Sequence, residues 1–116
     1  MPLLMLKTSA TIPPAEKDSL VAALSKMLAD ATGKPQKYAM VTVEEVAGSM
    51  GGKPDPMAFA DVRAIGGLTR EVNSKIAASL CRILEEKLHL SPASVYVTFS
   101  DVQASAWGWQ GGLFFG

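Results

Sequence analysis

The proline at position 2 has the most distinctive potential chemistry in this sequence. Met1 precedes a small residue, the context in which an initiator methionine is generally removed, and removal would leave Pro2 with a free secondary amine. A free α-amine titrates at about pH 8, and burial or a nearby cation such as Lys34 would lower its pKa. Such an amine can serve as a general base that moves a proton α to a carbonyl. Met-Pro starts are common, however, so this pair alone favours an ordinary chain start.

Other side chains that commonly do chemistry are few and scattered. The single histidine, His89, is expected in the last turn of a helix, where a cation is favourable. The single cysteine, Cys81, makes neither an internal disulfide nor a CxxC site, and we expect it to pack as a small residue. The segment 51–53 (GGK) lacks the upstream glycine of a phosphate-binding loop. The sequence therefore predicts no metal site and no cofactor.

The composition excludes several classes of protein. Eleven Lys and Arg residues balance eleven Asp and Glu residues, which leaves no basic surplus for nucleic acid or an anionic membrane. Hydrophobic residues make up 48% of the chain, a share that predicts more buried surface than one subunit of this size can bury, and hence an oligomer. No signal peptide or membrane span is predicted. We expect a cytoplasmic protein, although secretion without a signal would leave no mark in the sequence.

Hydrophobic periodicity predicts the elements that position these residues. A helix is expected over 15–32, with Gly33 as its left-handed cap. A second helix is expected to begin after Thr69 and to end before Ser91-Pro92. Strands are expected at 3–7, 38–46, 57–65 and 95–100.

The pattern of strand, helix and strand occurs twice. Residues 40–46 (MVTVEEV) align with residues 96–102 (YVTFSDV) at a spacing of 56, with three identical pairs. We predict a single domain over 1–116, with repeats at about 2–56 and 57–102 and a tail at 103–116. The predicted fold class is α/β, more finely α+β, in which two βαβ units form a four-stranded sheet with two helices on one face.

The second face of this sheet needs a cover. Three predicted strands carry apolar residues on both faces, as strands of doubly covered sheets do, and two helices can cover only one face. Another subunit is the simplest cover. The charge-free tail, which holds Trp107 and Trp109, is expected either as a hairpin at the edge of its own sheet or as a strand that crosses to a neighbour.

Short motifs occur in a specific order along nearly the whole chain. They are Met1-Pro2, Ala31-Thr32-Gly33-Lys34-Pro35, Asp55-Pro56, Ala64-Ile65-Gly66, Leu90-Ser91-Pro92, Val95-Tyr96, Gly108-Trp109 and Phe114. This set resembles the macrophage migration inhibitory factor family within the tautomerase superfamily. The resemblance implies a homotrimer that catalyses keto–enol tautomerisation of phenylpyruvate-like substrates, with dopachrome derivatives as further candidates. The alternative is a secreted signalling or host-modulating ligand with residual activity, whose receptor contacts cannot be matched residue by residue.

The resemblance also implies roles for three residues near the N-terminus and the third strand. Pro2 would be the catalytic base, and Lys34 would hold the substrate carboxylate. Spacing alone favours a different role for Lys34, that of a cation at a helix C-terminus. The backbone amide of Ile65 would face the substrate, whereas the simpler interpretation is a core strand residue.

Five further positions are assigned to the pocket by the same resemblance. Tyr96 would come from the adjacent subunit, and Tyr38, Trp109 and Phe114 would form the aromatic rim and wall; strand or interface packing is the alternative for each. Thr98 stands where the best-known members have an asparagine, so a hydrogen bond to the ring end of the substrate is expected to be weakened or lost. Residues 57–60 (MAFA) lack the CxxC of those members, which excludes their thiol–disulfide chemistry.

Overall fold

The structure, a computed structural model, describes residues 1–114. Its elements are β1 (Pro2–Thr8), α1 (Pro14–Thr32), β2 (Met40–Glu45), β3 (Ala58–Ala64), α2 (Arg70–Leu88), β4 (Val95–Asp101), β5 (Gly108–Trp109) and β6 (Gly112–Leu113). Short 3-10 helices at Gln36–Tyr38, Pro92–Ser94 and Ala104–Ala106 precede β2, β4 and β5. The predicted fold class is confirmed, and the predicted strand ends differ from the observed ones by at most two residues.

The four long strands form one mixed sheet in the order β2-β1-β3-β4. The pairs β1/β2 and β3/β4 are parallel, as right-handed βαβ units require. The two units join through the antiparallel pair β1/β3, in which Pro2 lies opposite Ala64 and Thr8 lies opposite Ala58. The start of β1 is therefore at the same end of the sheet as the end of β3.

The two units follow one another at an offset of 56 residues. Strands β1 and β3 begin at Pro2 and Ala58, and both are seven residues long. Helices α1 and α2 are both nineteen residues long. Each helix ends on a residue in the left-handed conformation, Gly33 with φ 69° and His89 with φ 57°. His89 was predicted to lie in the last turn of α2. It lies instead one residue beyond the helix, as its left-handed cap.

The core lies between the helices and one face of the sheet. The even-numbered residues of β1 and β3 are buried on this face, in the alternation typical of a half-covered strand. The helices contribute apolar residues at helical spacing. The fully buried members of this core include Leu4, Leu6, Val62, Leu20, Leu24, Leu28, Ile76, Leu80 and Leu84.

The odd-numbered residues of β1 and β3, with their neighbours on β2 and β4, form the opposite face, called here the open face. Leu3, Met5 and Phe59 are half-buried on it. Asp61 and Arg63 also lie on it, so the prediction of apolar side chains on both faces holds only in part. The open face is a mixed surface, less apolar than the helix face.

The predicted strand over 38–46 is wrong at its first two residues. Pro35 starts a 3-10 turn in which the Tyr38 N–H donates to the Pro35 carbonyl at 3.1 Å. The Ala39 N–H then donates to the Gln36 carbonyl at 2.9 Å. Because these bonds hold the backbone in a turn, Tyr38 lies outside the sheet.

The tail forms a small separate hairpin. Strands β5 and β6 pair antiparallel with each other in a two-stranded sheet of their own, so they do not extend the edge of the four-stranded sheet. Residues 115 and 116 of the predicted tail lie outside the described residues. Within residues 1–114, neither helix combines the length and apolarity needed to cross a membrane.

Candidate functional site

A cleft of about 710 Å³ opens at the end of the sheet where β1 begins. It lies between the start of β1, the turn before β2, the end of β3 and the hairpin. Its principal lining residues are Pro2, Tyr38, Met40, Arg63, Trp107 and Trp109. Three of the eight residues predicted for the site, Pro2, Tyr38 and Trp109, are brought together here.

Pro2 is buried at the first position of β1, against the core. Its place in the antiparallel register, opposite Ala64, fixes its backbone at the edge of the cleft. Burial lowers the pKa of the chain's first amine, that of Met1, and the nearby charge and hydrogen bond of the Lys34 ammonium lower it further. Both causes disfavour the protonated amine, so this end of the sheet favours a neutral amine.

Lys34 is directed at the end of β3. It directly follows the left-handed cap Gly33. Its Nζ donates to the carbonyl oxygens of Ile65 at 2.6 Å and Gly66 at 3.0 Å. Gly66 and Gly67 both have positive φ, which turns the chain so that these two carbonyls face the ammonium. The side chain therefore does not cap the last carbonyls of α1, the role that spacing alone favoured.

Aromatic side chains form one wall of the cleft. The rings of Tyr38 and Trp109 meet edge to face, with centroids 5.7 Å apart and planes at 87°, a favourable aromatic geometry. The Nζ of Lys37 lies 5.0 Å from the centroid of the Tyr38 ring. Phe114 does not line the cleft; its N–H donates to the Trp107 carbonyl at 2.7 Å, which ties it to the adjacent tail.

Tyr96 and Thr98 are not brought to the cleft of their own chain. They lie on the edge strand β4, where the register pairs Tyr96 with Phe59 and Thr98 with Asp61. At about 3.3 Å per residue and 4.8 Å per strand, Tyr96 is about 19 Å from Pro2. Tyr96 is 65% exposed.

Sequence reasoning missed Arg63, Lys37 and Trp107 as lining residues of the cleft. Lys37 and Trp107 are sequence neighbours of predicted site residues, but nothing in their type marked them. Arg63 lies in a strand that was interpreted through its apolar residues. Side chains on one face of a strand recur at every second residue, so Asp61 and Arg63 share a face of β3, and Arg63 stands two residues before the predicted Ile65. This spacing was the signal that could have marked Arg63 as a neighbour of the site.

The remaining reactive groups of the described chain form no second site. Among residues 1–114, no three His, Cys, Asp or Glu side chains cluster closely enough to hold a metal ion. Cys81 is half-buried on α2. Burial, and secondarily the charge of Glu85, raise the pKa of its thiol, which leaves it a poor nucleophile.

Comparison with known proteins assigns the chain to a family. The model of the family described as macrophage migration inhibitory factor matches residues 1–115. The macrophage migration inhibitory factor of Rattus norvegicus is 32% identical, over 98% of this chain and 99% of that protein. Among solved structures, the macrophage migration inhibitory factor of Toxoplasma gondii is 36% identical to this chain, with a TM-score of 0.89. The match covers 93% of this chain and 96% of the Toxoplasma chain. A macrophage migration inhibitory factor-like protein from Entamoeba histolytica is 27% identical with a TM-score of 0.93, covering 97% of both chains. The chain therefore belongs to the macrophage migration inhibitory factor family.

Proposed function

We propose that the protein is a cofactor-independent keto–enol tautomerase of phenylpyruvate-like substrates, whose base is the amine of Pro2 after removal of Met1. One observation carries the proposal: Pro2 is buried at the edge of an aromatic cleft, next to an ammonium that faces the same end of the sheet. Family membership supports a tautomerase-type isomerase activity in general.

The electrostatics at this end of the sheet suit a general base. The causes that lower the pKa of the first amine are burial and Lys34. Removal of Met1 would place the Pro2 nitrogen at the chain terminus, next to the same lysine and deeper in the same surroundings. The same two causes would then lower the pKa of the Pro2 amine, which favours the neutral form that can accept a proton.

The reaction needs one proton acceptor and conserves every proton. In the keto-to-enol direction the Pro2 amine accepts the proton from the carbon between the ring and the keto group. The electron pair of the broken C–H bond forms the C=C bond, and the carbonyl oxygen becomes an enolate oxygen. The protonated amine then donates its proton to that oxygen, and the free amine is regenerated. The opposite direction uses the same two transfers in reverse order.

Lys34 and the aromatic wall would hold the substrate for this transfer. An ammonium has three N–H donors, and Lys34 uses two on the carbonyls of Ile65 and Gly66. The third, which meets the Met1 amine in the untrimmed chain, would bind the substrate carboxylate once Met1 is removed. The carbonyl of Ile65 accepts from that ammonium, and the backbone amide of Ile65 would face the substrate. Tyr38 and Trp109 would contact the ring of the substrate, while Phe114 would approach from the tail.

We further propose a homotrimer in which the open face meets neighbouring subunits. Half-buried Leu3, Met5 and Phe59 on that face provide apolar area for such a contact. A neighbour would also account for Tyr96 and Thr98, which lie far from Pro2 in their own chain and would enter the cleft of the adjacent one. Sizing at micromolar concentration should give about three times the chain mass of 12.2 kDa, and a monomer would contradict the shared site.

The proposed activity is tested by following phenylpyruvate tautomerisation through its ultraviolet absorbance, with mass spectrometry to verify that Met1 is absent. Pro2→Gly replaces the secondary amine with a primary one that can still accept a proton, so it should lower kcat/KM by roughly tenfold without abolishing the activity. Pro54→Gly, in an exposed loop, is the matched control and should keep the native rate. A trimmed native protein without activity, or full activity in a protein whose Pro2 nitrogen is an amide behind an N-terminal extension, would contradict the proposal.

A further inference from the structure

We propose that Arg63 is a specificity-determining residue of the cleft, where it binds a second carboxylate on the side opposite Lys34. The preferred ligands would then be aromatic compounds with anionic groups at both ends, rather than at one end only. This inference rests on the proposed function, because it concerns the ligand of the same cleft.

Arg63 and Lys34 approach the end of the sheet from its two faces. Lys34 follows α1, which packs on the helix face, and its ammonium is held at the carbonyls of Ile65 and Gly66. Arg63 projects from β3 on the open face, yet lines the cleft. Ala64, between Arg63 and Ile65, is paired with Pro2. The proposed base thus lies between two cations.

Among residues 1–114, the charged side chains that line the cleft are Lys37 and Arg63, and no Asp or Glu of that range lines it. The cleft lining therefore carries no acidic side chain from the described residues to balance Arg63. Arg63 forms an ion pair with Asp61, however, so the number of N–H donors that it can still offer to an anion depends on the geometry of that pair.

Asp61 contacts only one edge of the guanidinium. The Nε and Nη2 of Arg63 both lie 3.0 Å from the same oxygen, Oδ2 of Asp61. A guanidinium carries five N–H donors, so three remain free. The side chain of Arg63 is 49% exposed, whereas that of Asp61 is 17% exposed. The carboxylate is therefore the fixed partner, and the arginine presents its free edge outward.

Thr98 supplies the second constraint on this pair. Its Oγ1 donates to the other carboxylate oxygen of Asp61, Oδ1, at 3.0 Å. Both oxygens of Asp61 are thereby occupied, one by each neighbour on the open face. Thr98 and Asp61 are positioning residues, which orient the guanidinium without contacting the ligand of this cleft themselves.

An oriented guanidinium is well suited to a carboxylate. Its planar donors can form two parallel hydrogen bonds with one carboxylate, an arrangement that a single ammonium cannot provide. A second carboxylate at the far end of an aromatic ring would meet Arg63 while the first meets Lys34. A ligand with one carboxylate would leave the arginine in contact with solvent.

The test is a binding measurement that needs no turnover. Trp107 and Trp109 line the cleft, so their fluorescence can report titrations with phenylacetate, which has one carboxylate, and 1,4-phenylenediacetate, which has two. The native protein should bind the dianion about two- to fivefold more tightly, the range for a partly exposed charge pair. Arg63→Gln should abolish this preference, and it should lower the affinity for phenylacetate much less than the affinity for the dianion. Arg63→Lys should keep part of it, and Thr98→Val should reduce it.

Arg82→Gln controls for the loss of one positive charge, because Arg82 is exposed on α2 outside this cleft; it should keep the full preference. Equal affinity of the native protein for both ligands, binding of neither, or a preference that survives Arg63→Gln would each overturn the inference. If the thermal transition shows that Arg63→Gln is unfolded, Arg63→Lys replaces it as the test. A preference for the dianion that is fully retained or wholly absent in Arg63→Lys counts against a guanidinium site. An intact preference without phenylpyruvate turnover would contradict the proposed function alone.

Discussion

The two βαβ units have almost the same backbone, but only the first begins with the proposed base. Pro2 begins β1 as the second residue of the chain, whereas its counterpart Ala58 begins β3 in mid-chain. The carbonyl of Met57, just before Ala58, accepts hydrogen bonds from the Thr8 hydroxyl at 2.8 Å and the Ser9 N–H at 3.0 Å. Strand β1 can therefore begin with a free amine, whereas β3 begins with a peptide bond whose carbonyl accepts two hydrogen bonds.

The counterpart of Lys34 in the second unit shows the same contrast. The residue after the left-handed cap is Lys34 in the first unit and Leu90 in the second. Lys34 directs its ammonium to the carbonyl of Ile65, whereas Leu90 is buried in the core. The fold thus provides two equivalent positions, and the residue types at those positions decide which one can do chemistry.

The largest expected effects concern stability, where the two units should behave alike. Leu24 and Leu80 are 56 residues apart, on the corresponding faces of α1 and α2, and both are fully buried. Leu24→Ala and Leu80→Ala should each lower the free energy of unfolding by about 3 kcal/mol, through lost transfer free energy and the cavity left behind. Denaturant titrations at one protein concentration measure both. A loss of several kcal/mol in one variant and almost none in the other would contradict the equivalence.

A smaller effect is expected where the units differ in function. Lys34→Leu, which installs the residue type of position 90, should lower kcat/KM for phenylpyruvate roughly 10- to 100-fold, mainly by raising KM, because a carboxylate contact is lost. It should also raise the pKa of the terminal amine, since a nearby positive charge is removed while burial, the larger cause of the lowering, remains.

The pH profile distinguishes these two roles of Lys34. A base is active when deprotonated, so kcat/KM should fall as the pH drops through the pKa of the amine, and Lys34→Leu should move that fall to higher pH. Lys17→Leu, at an exposed position of α1, should leave the profile unchanged. A Lys34→Leu profile that coincides with the native one would show that Lys34 does not act on the base.

The smallest effects are expected at the helix caps, and they should have opposite signs. Gly33 and His89 both adopt the left-handed conformation, which costs an L-residue with a side chain roughly 1 kcal/mol more than glycine. Gly33→Ala should therefore destabilise the protein by about 1 kcal/mol, and His89→Gly should stabilise it by a similar amount. Thermal unfolding of the two variants measures both effects. Changes of the same sign in the two melting temperatures would contradict the stated cost of the left-handed conformation.

Local sequence was sufficient to predict most of the fold. Apolar residues recur with period 3.6 in both helices and alternate in the strands, so the elements and their duplication follow from short-range patterns. The start of β2 was missed because Tyr38 continues the apolar alternation, while backbone bonds to Pro35 hold it in a turn. Turn bonds of this kind leave little trace in a hydrophobic pattern.

The candidate site was less predictable, because its geometry depends on contacts between distant segments. The residue type alone marked Pro2, but the direction of the Lys34 side chain is decided by carbonyls 31 and 32 residues away. Arg63 was missed because its role depends on its partners on the open face, Asp61 and Thr98. Tyr96 is assigned to the neighbouring cleft by resemblance, and Thr98 is placed there by its position on the same strand; both assignments are still predictions.

The most direct test converts the N-terminal amine of the first unit into an amide, the group with which the second unit begins. A protein that begins at Pro2 is compared with one that retains Met1 behind a Gly-Ser extension, so that the Pro2 nitrogen is an amide like that of Ala58. Phenylpyruvate tautomerisation should be fast in the first protein and reduced by at least roughly 100-fold in the second, with the same oligomeric size and thermal transition. Equal rates in the two proteins would contradict the claim that the Pro2 amine is the base.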